Sequence, residues 1–237
     1  FSVPAAGASH QGLLTFIPDD ATQGIALTET HFGAVPARSA ADGIDGPSWE
    51  HTTKLYSVEA MEHQAPVRVD SRRCIPDSGG AGSFRGGNGV ATTYQFTAPG
   101  ALSIQDDRQT GQPWGIFGGR PGSCSEKSLT TKNGERRTLA PKVDRLPVYS
   151  GDKLLYAGPG TGGWGDPLRR PVEAVQKDVA RGLTTIVSAK EYYGVVIDSD
   201  TVTIHVEETE ALRRRLLGVP GKRSHFDFGK KSIRETS

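Results

Sequence analysis

The chain has 237 residues, 35% hydrophobic and 23% charged, enough for one substantial core or two small ones; one domain followed by a tail is expected. Its 28 basic and 27 acidic residues leave a net charge of +1, which gives no bulk attraction to nucleic acid or to an anionic membrane surface. No window approaches the roughly 18 to 20 apolar residues that cross a bilayer, and Phe1-Ser2-Val3-Pro4 lacks the basic and apolar regions of a signal peptide, so the chain reads as cytoplasmic.

Residues 1–48 are rich in Gly, Ala and Pro, with two apolar runs, 12–17 and 24–27, that suit strands and no convincing helix. Further on, Glu59 and Glu62 stand three apart and would share the face of a helical turn. Such a pair serves either acid/base chemistry or a solvated face or arginine anchor, and the second is favoured because acid/base work needs a pocket that the sequence does not show. Residues 67–74, 89–96 and 101–106 carry the β-branched and aromatic alternation of strands, and turn signals every 8 to 12 residues point to an all-β sandwich or barrel.

The first two of these strands flank residues 77–89, where six of thirteen residues are glycine. A cluster this dense implies positive φ angles or close backbone approach. One reading is a phosphate cradle, but neither a Walker ending nor a GxGxxG between strand and helix is present. The favoured reading is a tight turn between strands with Arg85 pinned by a neighbouring carboxylate or carbonyl, and the opposite charges of Asp77 and Arg85 at the two ends suggest that they brace it.

Residues 111–122 set Trp114 and Phe117 among five glycines and two prolines. Trp114 there either covers a core edge or stacks on a ligand. Residues 126–149 read as hairpins, with Asn133-Gly134 as a two-residue turn between strands 128–131 and 136–140. A strand at 152–156 leads into the third glycine cluster, 158–165. Helical periodicity then appears from Val172 to Val179 with Pro171 in its first turn and Gly182 as its stop. A second helix, 188–193, shows a capping box in Ser188 and Glu191 and ends at Gly194. Residues 195–197 and 201–206 suggest a hairpin, and 207–217 a third helix with acids first and arginines last. The tail, 219–237, is basic and sparse in apolar residues, hence disordered or an arm that lies on a partner through Phe226 and Phe228.

His10, His31, His51, His63, His205 and His225 form no paired ligand motif, no GxSxG elbow exists, and Cys74 and Cys124 read as reduced structural thiols. No metal site is expected in the chain.

Three runs, DSGGAGSFRGGNGV from Asp77, QPWGIFGGRPG from Gln112 and GPGTGGWGDPLRRPVEAVQKDV from Gly158, resemble the carboxyl-terminal half of the hydantoinase B/oxoprolinase family. The resemblance extends from about residue 4 to about 214; ETHFGAVPARSAADGIDG from Glu29 is similar to one family segment, with Ala34 and Pro36 where glycine is usual, and residues 58–69 are similar to another, with Ser57 in place of the proline before it. Because the chain starts at Phe1, the start was either processed or preceded by other sequence, and the resemblance favours the second.

The resemblance implies a mainly β (α+β) fold, a sandwich or barrel-like core with Gly-rich loops and two or three short C-terminal helices. The expected division is a β-rich domain over 1–206, with two short helices near 171–193, and a helix with a basic extended arm over 207–237. It also implies a subunit of an ATP-dependent cyclic-amide hydrolase of the hydantoinase, oxoprolinase or lactamase type; the alternatives are a subunit of an ATP-dependent ketone carboxylase of the acetone or acetophenone type and a non-catalytic β-rich interaction module. In this family the metal-binding His and Asp residues lie in the amino-terminal half, and the nucleotide belongs to a hydantoinase A-like partner. The chain alone would then bind no cofactor, with ATP, Mg and a divalent metal on partner chains, and would wall a chamber for a small-molecule substrate. The wall or turn candidates are Asp77, Ser78, Gly79, Gly80, Gly82, Arg85, Gly86 and Gly87, then Trp114, Gly118 and Gly119, then Gly162, Gly163 and Trp164. No catalytic residue is assigned.

Overall fold

In chain order the elements are β1 (Gly12–Pro18), β2 (Leu27–His31), α1 (Val58–Gln64), β3 (Val67–Cys74), β4 (Val90–Phe96), β5 (Gly100–Gln105), β6 (Gly115–Ile116), β7 (Glu126–Thr130), β8 (Arg136–Thr138), β9 (Lys142–Val148), β10 (Lys153–Ala157), α2 (Val172–Ala180), α3 (Ile186–Tyr193), α4 (Val206–Leu217) and β11 (Phe226–Asp227). They come from a computed structural model that describes residues 4–7, 12–20, 22, 26–31, 33–46, 57–217 and 225–229.

One antiparallel sheet has the order β2-β1-β5-β9 and a second the order β3-β4-β10-β7-β8. Alternation along the strands sends Leu14 and Phe16 of β1, Leu102 and Ile104 of β5, Tyr94 and Phe96 of β4, and Leu154 and Tyr156 of β10 into one shared core. The Phe16 and Phe96 rings meet across it at 4.8 Å. This is the sandwich that the strand spacing implied. A smaller core lies under the C-terminal helices, where Val175, Ala189, Tyr193, Val195 and Ile197 bury together with Ala81.

Several local expectations hold and several move. Helix α1 starts at Ser57, whose hydroxyl accepts the Ala60 N–H at 3.2 Å. Glu59 and Glu62 are both exposed on it, and Glu62 accepts the Val69 N–H at 2.8 Å, so the pair builds no acid/base pocket. Strand β2 spans Leu27–His31, and residues 24 and 25 of the run expected there lie outside the described residues. The Asn133-Gly134 turn has three residues, not two. Thr131 N–H donates to the Glu135 carbonyl and Gly134, at φ 89°, donates back to Thr131, so glycine takes the left-handed place after a type I turn.

Strand β9 escaped the sequence reading. It is an edge strand rich in charge, it carries Pro147 opposite Ala101, and a bulge between its pairings to Leu102 and Ile104 breaks its alternation at Arg145, φ 48°. Helix α3 is capped by Thr185, which accepts the Ser188 N–H at 3.1 Å, so Ser188 is not the cap; Gly194 ends the helix at φ 63° as read. The hairpin expected over 195–206 is a single bridge, Ile197 to Ile204, because Asp198 gathers the N–H groups of Asp200 and Thr201 into a turn and α4 begins at Val206.

Candidate functional site: a glycine-walled cleft

Strands β3, β4 and β10 are neighbours, with Cys74 opposite Val90 and Ala157 opposite Ala91, so the first and third glycine clusters leave the second sheet at the same edge. Hydrogen bonding continues past that end of the sheet. Gly80 N–H donates to Thr161 at 2.7 Å, Gly86 to Gly80 at 2.9 Å, Thr161 to Gly87 at 3.0 Å, Gly87 to Val35 at 3.2 Å, Gly163 to Arg120 at 2.9 Å and Arg120 to Ala81 at 2.7 Å. Successive residues of one segment bond to different neighbours, as in the middle of a sheet, but further backbone also lies where a Cβ would point, which a flat sheet does not do. The result is a layered stack of extended backbones drawn from residues 33–46, 77–89, 113–123 and 158–165.

The close approach explains the composition. A Cβ on Gly80 would fall on the Arg120 carbonyl, on Gly86 on that of Thr161, on Gly119 on that of Gly163, and on Gly162 on that of Trp114. The phosphate-cradle reading fails for the same reason. The N–H groups of Gly79, Gly80, Gly86, Gly87 and Gly89 all donate to oxygens of the chain itself, so these five form no nest for an anion.

Arg85, 3% exposed, is pinned by a carboxylate, but not by Asp77. Its guanidinium forks onto Asp45 at 2.7 and 3.1 Å, with Asp178 of α2 at 3.6 Å from Nε. Arg170 forks onto Asp42 at 2.6 and 2.8 Å and reaches Asp178 at 2.7 Å, and Asp42 also accepts the Arg85 backbone N–H at 2.7 Å. Burial works against both guanidinium charges, yet the aspartates outweigh it and hold both above their usual range. Burial likewise works against the Asp42 carboxylate, and Arg170 with Arg85 holds it below the usual range. This buried lattice ties the 42–45 loop, the first cluster and α2 together. Asp77 stands apart at φ 59° and accepts the Thr185 N–H at 2.9 Å.

Where the layer meets α3 and β11 it leaves a cleft of about 670 Å³. Asp77, Gly79 and Gly80 of the sequence candidates border it, joined by Gln112, Arg120, Ser123, Glu191, Tyr192 and Asp227, which sequence reading did not assign to a site. The remaining candidates are interior or elsewhere. Ser78 donates to the Ile75 carbonyl at 2.7 Å, Gly82, Gly86, Gly87, Gly119, Gly162 and Gly163 lie inside the stack, and Gly118 turns at φ 93° beside Asp166. Trp164 lines a second, shallower hollow with Phe117, Ser83, Asp166 and Arg169. Trp114 lies under neither opening; its carbonyl accepts the Ala6 N–H at 3.0 Å and its ring sits 6.1 Å from Phe228. The arm pairs Phe226 with Ile116 of this chain's own β6, leaving Phe226 and Phe228 exposed beside Trp114 and Phe117.

A second polar set lies inside the sandwich. Lys127, fully buried, contacts Asp106 and donates to Ser125 at 3.0 Å, and Ser125 donates to Asp106. Burial pushes the Lys127 ammonium down while the Asp106 carboxylate beside it works the other way. A serine beside a lysine has the look of an activated nucleophile, but Ser125 is 3% exposed and no substrate reaches it. Nearby, Glu29 accepts from Arg72 at 2.6 Å and from Tyr94, and His31 stacks on Tyr156 at 3.8 Å. Burial pushes the Cys74 and Cys124 thiols up, and both are free. Among the described residues no three His, Cys, Asp or Glu side chains are placed to hold a metal ion, and no helix is long and apolar enough to cross a membrane.

The sequence profile of hydantoinase B/oxoprolinase matches residues 1–167. The chain belongs to the hydantoinase B/oxoprolinase family. Its relatives include the B-type component of a D-/L-hydantoinase from Pseudomonas sp., 31% identical over 77% of this chain and 31% of that one. The acetophenone carboxylase delta subunit of Aromatoleum aromaticum is 25% identical over 78% of this chain and 33% of that one. The ATP-dependent caprolactamase of Pseudomonas jessenii has the same fold, with a TM-score of 0.77, 25% identity, and coverage of 90% of this chain and 38% of that one. This hydantoinase B-like chain thus spans about a third of the length of the relatives it matches.

Proposed function

We propose that the chain is part of an ATP-dependent cyclic-amide hydrolase of the hydantoinase, oxoprolinase or lactamase type, and that its glycine layer walls the reaction chamber without supplying a complete catalyst. The observation that carries this is the cleft. A rigid stack of backbone, braced by the Arg85 and Arg170 lattice, presents Asp77, Gly79 and Gly80 at an opening large enough for a small molecule.

ATP, Mg and a divalent metal belong to partner chains: a hydantoinase A-like ATP-binding subunit and a chain supplying the amino-terminal part of hydantoinase B. The outward rings of Phe226 and Phe228, 40% and 63% exposed, give such a partner an aromatic surface to cover. The kinship with an acetophenone carboxylase subunit favours, as the second reading, a subunit of an ATP-dependent ketone carboxylase.

Reconstitution with both partner chains separates the readings. ATP-dependent opening of hydantoin, 5-oxoproline or caprolactam supports the hydrolase, and bicarbonate-dependent consumption of acetone or acetophenone supports the carboxylase. An assembly active at the same rate without this chain would reduce it to an interaction module.

A further inference from the structure

Four charged residues surround the main cleft: Asp77, Glu191 and Asp227 are acids, and Arg120 is the cation. Two of the acids are engaged by their own loops, Asp77 with the Thr185 N–H at 2.9 Å and Asp227 with the Gly229 N–H at 3.0 Å. Arg120 differs. Its backbone is locked into the glycine layer, donating to Ala81 at 2.7 Å and accepting from Gly163 at 2.9 Å, so its side chain leaves a rigid root. The guanidinium carbon lies 4.4 Å from the centroid of the Tyr192 ring on α3. Among the described residues its N–H groups meet no hydrogen-bond acceptor, and no carboxylate of those residues is in ion-pair range. A planar fork held this way is matched by a carboxylate, which accepts two parallel N–H bonds.

We propose that the cleft is a binding site for a small molecule bearing one carboxylate, received by Arg120 on the Tyr192 face. The three acids around it repel anions in proportion to their charge, so the site takes monocarboxylates weakly and dicarboxylates or phosphate more weakly still. Ser123 and Ser188 on the walls supply neutral hydrogen-bonding groups. This site stands on the geometry of the chain and holds whichever reaction the assembly performs.

The test is titration of the whole chain with butyrate, glutarate and inorganic phosphate, followed by NMR of the protein amides. Butyrate is expected to saturate at millimolar concentration with shifts at residues 79–81 and 120–123, and glutarate and phosphate to bind several-fold more weakly. Arg120→Gln raises the butyrate Kd about tenfold with an unchanged Tm, since the side chain is exposed. Arg120→Lys, which keeps the charge and loses the fork, falls between the two. Asp227→Asn narrows the gap between butyrate and phosphate. The proposal is overturned by absence of saturable butyrate binding, by wild-type affinity in either Arg120 variant, or by phosphate binding as tightly as butyrate.

Discussion

The sandwich and the glycine layer solve the same problem by opposite means. In the sandwich the strands are held apart and the space between them is filled by Phe16, Phe96, Leu102, Leu154 and their neighbours. In the layer side chains are removed until backbone lies directly on backbone, and peptide groups satisfy one another. A filled core tolerates exchange of one apolar group for another of similar volume. A layer built by omission has no such latitude, because an added methyl meets a carbonyl that cannot turn away.

The largest expected effect breaks the layer. Gly162→Ala places a Cβ on the Trp114 carbonyl and is expected to cost more than about 4 kcal/mol or to prevent folding, while Gly111→Ala, with nothing within 4 Å, stays within about 0.5 kcal/mol. Urea unfolding of both proteins checks the pair. The matching insult to the sandwich is Leu154→Ala, fully buried, at about 2–5 kcal/mol. If the two regions are one cooperative unit, tryptophan fluorescence, to which Trp114 and Trp164 contribute, and far-UV circular dichroism report coincident midpoints in both variants.

Next in size is the charge lattice that anchors the layer to α2. Arg85→Lys loses the fork onto Asp45 and is expected to cost about 1.5–3 kcal/mol, and Asp77→Ala, which leaves that fork intact, to cost less. Equal losses would mean that Arg85 is not the brace. Asp42 gives a pH signature. Its carboxyl is held below the usual range in the folded chain, so its contribution is present above the unfolded value near pH 4 and is lost as pH falls further. Asp42→Asn should flatten the decline of Tm in that window. The smallest effect on stability belongs to the arm. Deleting residues 219–237 is expected to cost no more than about 1 kcal/mol, since β11 has two residues and both phenylalanines are exposed, yet to weaken association with partner chains. Sedimentation of the reconstituted assembly decides this, and wild-type association would leave the arm with no docking role.

The sandwich was legible because its signals are local: the alternation in β3, β4 and β5 and the glycine after Asn133 can each be read within ten residues. The site was legible only as composition. The three clusters announced close approach, but not that β3, β4 and β10 would be neighbours and so bring the first and third together. Arg85 was read with Asp77 because they flank one turn; its partner Asp45 lies 40 residues away, on a loop with no pattern of its own. Arg120 hid inside a glycine motif, and Tyr192 looked like an ordinary helix residue until α3 lay beside the layer. Ser188 with Glu191 fits a capping box in sequence, but the extended backbone at Thr185, φ −79° and ψ 158°, makes Thr185 the cap.

The layer also has a calorimetric consequence. Exposure of apolar surface raises the heat capacity on unfolding, and exposure of peptide groups lowers it. A stack of glycine backbone releases almost pure peptide surface, so its share of the heat-capacity change is small or negative, while the sandwich contributes the usual positive share. Cooling therefore weakens the sandwich as its hydrophobic drive fades and leaves the layer's hydrogen bonds in force. In the cold, the glycine layer is the region that holds.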